Sequence, residues 1–182
     1  MPNEIVLDAC AAPGGKSSQI AASMQNSGQL ICTDSNPKRL PRLEQNLYRL
    51  GATIAQTEEC DWLNPPPERF HQKFNAILLD VPCSNTGVLR RRIDARWRLK
   101  QSDITKLTKI QLTILENALL CLKPGGRIVY STCSIDTEEN TQLIARFLAQ
   151  NPKLKLEKEH QALPQQHDTD GAFAALITLP KS

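Results

Sequence analysis

The sequence predicts an α/β fold: a mostly parallel, doubly wound sheet with helices on both faces. Two observations carry this. Short apolar runs alternate with amphipathic stretches along the whole chain. One run, Asn75 to Asp80 (NAILLD), is continuously apolar, as suits a central parallel strand buried on both faces. With 182 residues the chain can build one domain with a real core and is too short for two full-sized ones, so 1–182 is read as a single domain.

Ile5-Val6-Leu7 is the first strand, ending at Asp8, and a small-residue loop leads into an amphipathic stretch from about Lys16 to Gln25. Leu30-Ile31-Cys32 is the second strand, ending at Asp34. A helix is expected from Pro37, a residue favoured in a first turn, to Gly51; within it Leu40, Leu43, Leu47 and Leu50 keep the spacing of one buried face. Thr53 to Gln56 is a weak third strand, and Pro65-Pro66-Pro67 an irregular connection. A polar loop from Val81 to about Ser102 follows the fourth strand. The longest helical pattern runs from Asp103 to Leu122 and stops at Lys123-Pro124-Gly125-Gly126. Arg127 to Ser131 is the fifth strand and Asp136 to Gln150 a further helix. Leu154 and Leu156 alternate with lysines, and Ala174 to Leu179 is the last strand-like run.

Composition excludes several classes. The net charge of +3 is compatible with nucleic acid without pointing to it. No apolar stretch approaches the roughly 20 residues of a membrane span, and no signal peptide opens the chain. The chain opens almost directly on an apolar strand, which reads as the start of a domain rather than of a whole protein. Cys10, Cys32, Cys60, Cys83, Cys121 and Cys133 are widely scattered, with no C-x-x-C pair, so no disulfide framework is expected. The three histidines show no metal spacing, and no metal site is expected.

Ligands of open α/β sheets bind beyond the carboxyl ends of the strands. The loop after the first strand reads Asp8-Ala9-Cys10-Ala11-Ala12-Pro13-Gly14-Gly15-Lys16, where small residues permit close backbone approach and a helix N-terminus follows. Asp34 ends the second strand where an acid typically takes ribose hydroxyls, Asp61 follows the third, and Asp80 ends the fourth. Acids at three strand ends fit a nucleoside site; the alternative is that each caps a local turn. A dinucleotide site fits poorly because G-x-G-x-x-G is absent and Pro13 interrupts the turn.

Cys83, in Asp80-Val81-Pro82-Cys83-Ser84, and Cys133, in Ser131-Thr132-Cys133-Ser134, follow the fourth and fifth strands. If those strands are neighbours, both thiols face one crevice. Carbon 5 of cytosine is a poor nucleophile until a thiolate adds to carbon 6. A base must then remove the carbon 5 proton before the thiol leaves, and Asp80 is placed to hydrogen-bond the ring nitrogen. Spacing leaves open which thiol attacks, and whether either does more than pack. Cys32 and Cys121 read as core, and Cys10 as a small residue on the ligand loop. Arg90-Arg91-Arg92 with Arg96-Trp97-Arg98, on the loop after Cys83, offers phosphate contacts and a stacking platform; the alternative is a solvated charged loop.

Val6 through Lys16, then Asp80-Val81-Pro82-Cys83-Ser84-Asn85-Thr86-Gly87-Val88, then Ser131-Thr132-Cys133-Ser134 with Glu138-Glu139-Asn140, resemble the NOL1/NOP2/Sun family of RNA cytosine-C5 methyltransferases. Gly87-Val88-Leu89-Arg90-Arg91 with Trp97 is most similar to its bacterial Sun branch, which methylates 16S ribosomal RNA. The resemblance covers nearly the whole chain. It implies a Rossmann-like class I methyltransferase fold with an antiparallel C-terminal strand, S-adenosylmethionine as cofactor, RNA as partner and a cytoplasmic location. It further implies that Cys10, Ala11, Ala12, Pro13, Gly14, Gly15 and Lys16 cradle the cofactor, with Asp34 at its ribose, Asp61 at its adenine and Asp80 near its reactive end. Cys133 would be the nucleophile, and Cys83 would assist product release. A transfer-RNA substrate, or a non-catalytic RNA-binding module, are the other readings. Three departures stand out: Val81 replaces an alanine, Ala172 replaces the first aromatic of a D-G-F-F run, and the family's N-terminal RNA-binding regions have no counterpart here.

Overall fold

A computed structural model describes residues 2–91, 97 and 99–181. Seven strands form one sheet in the order β3-β2-β1-β4-β5-β7-β6. They are β1 Ile5–Asp8, β2 Gln29–Asp34, β3 Ala55–Glu59, β4 Phe74–Asp80, β5 Leu122–Thr132, β6 Lys155–Ala162 and β7 Ala172–Thr178. The first five run parallel, whereas β7 lies antiparallel to both β5 and β6. The parallel sheet and antiparallel C-terminal strand expected from the sequence are both present. Strand order reverses between β1 and β4, which makes the crevice above their carboxyl ends the switch point where such sheets bind ligands.

Helices α1 Gly15–Ser23 and α2 Leu40–Arg49 cover one face, where Val6, Leu30 and Cys32 pack with Ala21, Leu43 and Leu47. On the other face α3 Gln101–Leu120 and α4 Thr141–Gln150 bury Leu115, Ala118, Ile144 and Phe147 against Leu7, Ile77, Leu79 and Ile128. A short helix, α5 Pro164–His167, joins β6 to β7. Among the described residues, no helix is long and apolar enough to cross a membrane.

Five segment boundaries differ from the sequence expectation, each for a physical reason. Pro37–Arg39 forms a 3-10 turn, capped by the Asn36 side chain accepting from the Lys38 amide at 3.0 Å, before α2 begins at Leu40. The helix ends at Arg49, so Leu50 is its cap and stays 48% exposed, off the face that Leu43 and Leu47 bury. The third strand lies at Ala55–Glu59 rather than Thr53–Gln56; as an edge strand paired only with β2, it tolerates the polar sequence that hid it. Lys123-Pro124-Gly125-Gly126 is an irregularity inside β5, not the gap before it. Leu122 already pairs with Phe74, the register then shifts, and Gly125 takes the positive φ of 77° that the detour needs. Finally, residues 137–140 form turns instead of opening α4, because the side chains of Asp136 and Glu139 are committed to Thr86 and Ser84.

Candidate functional site

The register of β4 on β5 sets Asp80 beside Ser131, and that of β1 on β4 sets Asp8 beside Leu78. Three adjacent strand ends therefore converge on one cleft. The cleft has a volume of about 180 Å³ and is lined by Asp8, Cys10, Ala11, Ala12, Pro13, Gly15, Lys16 and Asp80. Gly14, at φ 104°, turns the loop into α1; an added Cβ there would come within 3.0 Å of the Leu43 side chain.

Across the cleft, the Lys16 ammonium donates to Asp80 Oδ2 at 2.7 Å, and the Ser131 hydroxyl donates to Asp80 Oδ1 at 2.8 Å. Burial works against the Lys16 charge, but the bond to Asp80 outweighs it and holds the ammonium above its ordinary pKa. Asp8 is nearly inaccessible (1% exposed) and accepts from the Ser17 hydroxyl at 2.6 Å. Its other oxygen, Oδ1, has no hydrogen-bond partner. Burial of this carboxyl raises its pKa to about 6, with the negative charge of Asp80 acting in the same direction. The sequence reading passed over Asp8; its position at the end of β1, immediately before the small-residue loop, was the available signal.

The other two acids sit differently. Asp34 is buried at the end of β2, accepts from the Asn36 amide at 3.0 Å and pairs with Arg39 at 3.0 Å. Arg39 also donates to the Ala12 carbonyl, tying Asp34 to the loop; this arginine too was missed. Asp61 turns its carboxylate onto its own turn, accepting from the Leu63 amide and the Asn64 side chain at 3.1 Å each. Neither acid lines the Asp8–Asp80 cleft, and for Asp61 the structure shows the turn-capping contact.

The two site cysteines meet. The Cys133 backbone amide donates to Cys83 Sγ at 3.2 Å, and the loop of Cys83 is laced to that of Cys133 by Gly87 N–H to the Cys133 carbonyl at 3.0 Å. Gly171, in the turn before β7, donates to the Gly87 carbonyl at 2.8 Å. The approach is so close that a Cβ on Gly87 would fall 2.3 Å from the Gly171 oxygen. The sequence leaves the thiols equivalent; in the structure the side-chain interaction between them lowers the Cys133 pKa to about 6 and raises that of Cys83. Burial and Asp80 oppose the Cys133 thiolate, while Lys16 favours it. Cys10, Cys32 and Cys121 are pushed up to about 12 and Cys60 to about 11 by burial, so only Cys133 carries the signature of a reactive thiol. Alkylation by iodoacetamide, followed by mass mapping, should label Cys133 first, with a rate midpoint near pH 6 that rises by more than one unit in Cys83→Ala. A midpoint unaffected by that substitution would remove Cys83 as the cause.

Arg90 and Arg91 both pair with Asp170, at 2.6 and 2.8 Å, on the rim beside these loops. Trp97 is 82% exposed, and Arg92, Arg96 and Arg98 lie outside the described residues. Val81 points into the core (4% exposed), which accommodates the larger side chain. Ala172 is exposed, whereas Phe173 is buried edge-on to Tyr130 with ring centres 6.4 Å apart. The missing aromatic therefore costs the core little. Among the described residues, no group of three or more His, Cys, Asp or Glu side chains could hold a metal ion.

Known proteins resemble this chain over nearly its whole length. Ribosomal RNA small subunit methyltransferase B of Proteus mirabilis is 42% identical over 175 residues, covering 96% of this chain and 41% of that protein. The probable ribosomal RNA small subunit methyltransferase B of Bacillus subtilis is 38% identical, covering 94% of this chain and 42% of that protein. The chain thus spans about two fifths of the length of these curated relatives. Among solved structures, NSun6 from Pyrococcus horikoshii with SFG superposes with a TM-score of 0.87 at 30% identity, covering 99% of this chain and 49% of that one. The family profile described as 16S rRNA methyltransferase RsmB/F matches residues 1–178, nearly end to end, and the chain belongs to that family.

Proposed function

We propose that this chain transfers a methyl group from S-adenosylmethionine to carbon 5 of a cytosine in RNA, 16S ribosomal RNA being the favoured substrate. The observation that carries the reading is the pairing of a low-pKa Cys133 with Cys83, beside Asp80 and Lys16, at the mouth of a small-residue cleft. The names of the Proteus and Bacillus relatives support the RNA class.

The cleft suits the cofactor chemically. Asp8 Oδ1 is buried and unpartnered, a costly state that a ligand's ammonium group would relieve. Cys10, Ala11, Ala12, Pro13, Gly14 and Gly15 would hold the ligand against backbone. Asp34 keeps free lone pairs for ribose hydroxyls beside Arg39, and Asp61 would approach the adenine only by sharing the carboxylate that now caps its turn. When bound, S-adenosylmethionine supplies an electrophilic methyl group on a positively charged sulfur.

The protein's own part is then as follows. The Cys133 thiolate forms a bond to carbon 6 of the cytosine, and the electron pair of the 5,6 double bond becomes available at carbon 5. As negative charge accumulates on the ring nitrogen, a proton passes to it from the Lys16 ammonium through Asp80, which donates to the nitrogen as the neutral acid while Ser131 keeps it in place. Once the Cys133 sulfur is bonded to carbon 6, Cys83 gives up its own proton to solvent and, as the thiolate, takes the proton from the newly methylated carbon 5; the double bond re-forms and the Cys133 sulfur leaves as the thiolate. Arg90 and Arg91 would exchange Asp170 for RNA phosphates at the rim. Methyl-labelled S-adenosylmethionine, incubated with the chain and either 16S ribosomal or transfer RNA, should place label on 5-methylcytidine in the ribosomal digest. Label on any other nucleoside would overturn the chemistry; label confined to transfer RNA would overturn the substrate.

A further inference from the structure

The neighbours of both site cysteines are gripped from one place. Around Cys83, the Pro82 carbonyl accepts from Gln111 Nε2 at 3.0 Å, and the Ser84 amide donates to Glu139 Oε1 at 3.0 Å. The Ser84 hydroxyl donates to the other Glu139 oxygen, and Gln111 Nε2 also reaches Glu139 Oε1 at 2.8 Å. Around Cys133, the Thr132 hydroxyl donates to Asn140 Oδ1 at 2.6 Å, and Asn140 Nδ2 donates to the Ser134 carbonyl at 2.9 Å. Glu139 and Asn140 are consecutive, and both are wholly buried at 0% exposure. The Tyr130 hydroxyl, donating to the Glu139 carbonyl at 2.7 Å, fastens the pair to β5 just before Cys133.

We infer that Glu139 and Asn140 are positioning residues that fix the two thiols against each other, Glu139 through the loop of Cys83 and Asn140 through that of Cys133. The functional meaning of the jig rests on the two-thiol reading above; its geometry does not. A fully buried carboxylate is a poor device for stability alone, since apolar replacements of buried ionic groups are often neutral or stabilising. What Glu139 offers that an apolar residue cannot is two oriented acceptors, both engaged by Ser84, next to the cysteine they aim. Asn140 has the complementary need: one acceptor for Thr132 and one donor for Ser134, which only a carboxamide provides in that space. The same commitments explain why residues 136–140 do not join α4.

The test reads the thiol pair directly and needs neither RNA nor methyl donor. Cys133 faces Cys83, Asp80, Lys16 and Asp170, none of which is altered by Glu139→Gln or Asn140→Asp. In each variant the alkylation midpoint of Cys133 should rise from about 6 toward the ordinary 9, slowing labelling at pH 6.5 about tenfold. Circular dichroism and a cooperative melt verify that the fold is kept. An unchanged midpoint in either folded variant overturns the role of that residue. Should Glu139→Gln fail to fold, Ser84→Ala removes the hydroxyl that reaches Glu139, together with its contacts to Thr86, Ser134 and Asp136, while keeping the amide half of the grip, and should give an intermediate midpoint; no movement there overturns the inference for Glu139. Failure of the methyl-label assay with a shifted midpoint would overturn the proposed reaction and leave the positioning role standing.

Discussion

Replacing Cys133 with alanine should lower methyl transfer by on the order of 10⁴-fold or more, because alanine offers no atom that can add to carbon 6 and the neighbouring Cys83, its pKa driven up, stays a protonated thiol. Cys83→Ala should also fail to turn over, but in a different way. Addition and methylation can proceed, the carbon 5 proton is not removed, and a covalent protein–RNA species accumulates. The two variants therefore separate on a denaturing gel run after incubation with RNA and S-adenosylmethionine: a retarded band in Cys83→Ala, none in Cys133→Ala. The opposite pattern would exchange the roles of the thiols. A band in neither would count against covalent catalysis. Of the coupled pair, Cys133 has the lowered pKa and Cys83 the raised one, which is the direction the proposed roles require.

The second large effect concerns Asp8. Its pKa is raised from an ordinary 3.8 to about 6, chiefly by burial, so the folded state prefers the neutral acid. The sign follows from linkage: the favourable contribution is complete below about pH 4 and is lost as pH rises through 6, a swing of about 3 kcal/mol. Asp8→Asn has no such titration. Relative to wild type, the variant should gain about 3 kcal/mol of unfolding free energy between pH 4 and pH 7, measurable by urea denaturation at each pH. In thermal terms this is roughly 6–12 °C for a domain of this size. An equal difference at both pH values would mean that the carboxyl is not desolvated. The proposed function adds an opposite consequence. S-adenosylhomocysteine should raise the melting temperature of wild type and fail to do so for Asp8→Asn, so the gain in stability comes with a lost binding group.

How much of this was legible in the residues varies with the kind of information each carries. The central parallel strand was readable because NAILLD is a continuous apolar run, and Asp80 and Cys83 follow it at fixed distance. The third strand was misplaced because an edge strand reading AQTEE has no apolar pattern to detect. The helix expected from Asp136 begins later because long-range partners, 50 to 55 residues away in Thr86 and Ser84, claim its first turn. No local pattern encodes such partners. The same limit applied at the site: the loop and both cysteines were found from motif and strand ends, whereas Arg39, Gln111 and the orphaned oxygen of Asp8 acquire meaning only once distant segments are brought together.

The insertion of β7 between β5 and β6 has a consequence for when the site can exist during synthesis. Strand β6 is made before the strand that attaches it to the sheet, and Gly171, which braces Gly87 and through it Cys133, lies beyond β6 in the chain. A nascent chain that has completed everything through β6 holds Asp80, Cys83 and Cys133, yet lacks the brace that ties their loops together. Because pairings so distant in sequence form slowly, those loops should be the last part of the cleft to settle, after the sheet that carries them.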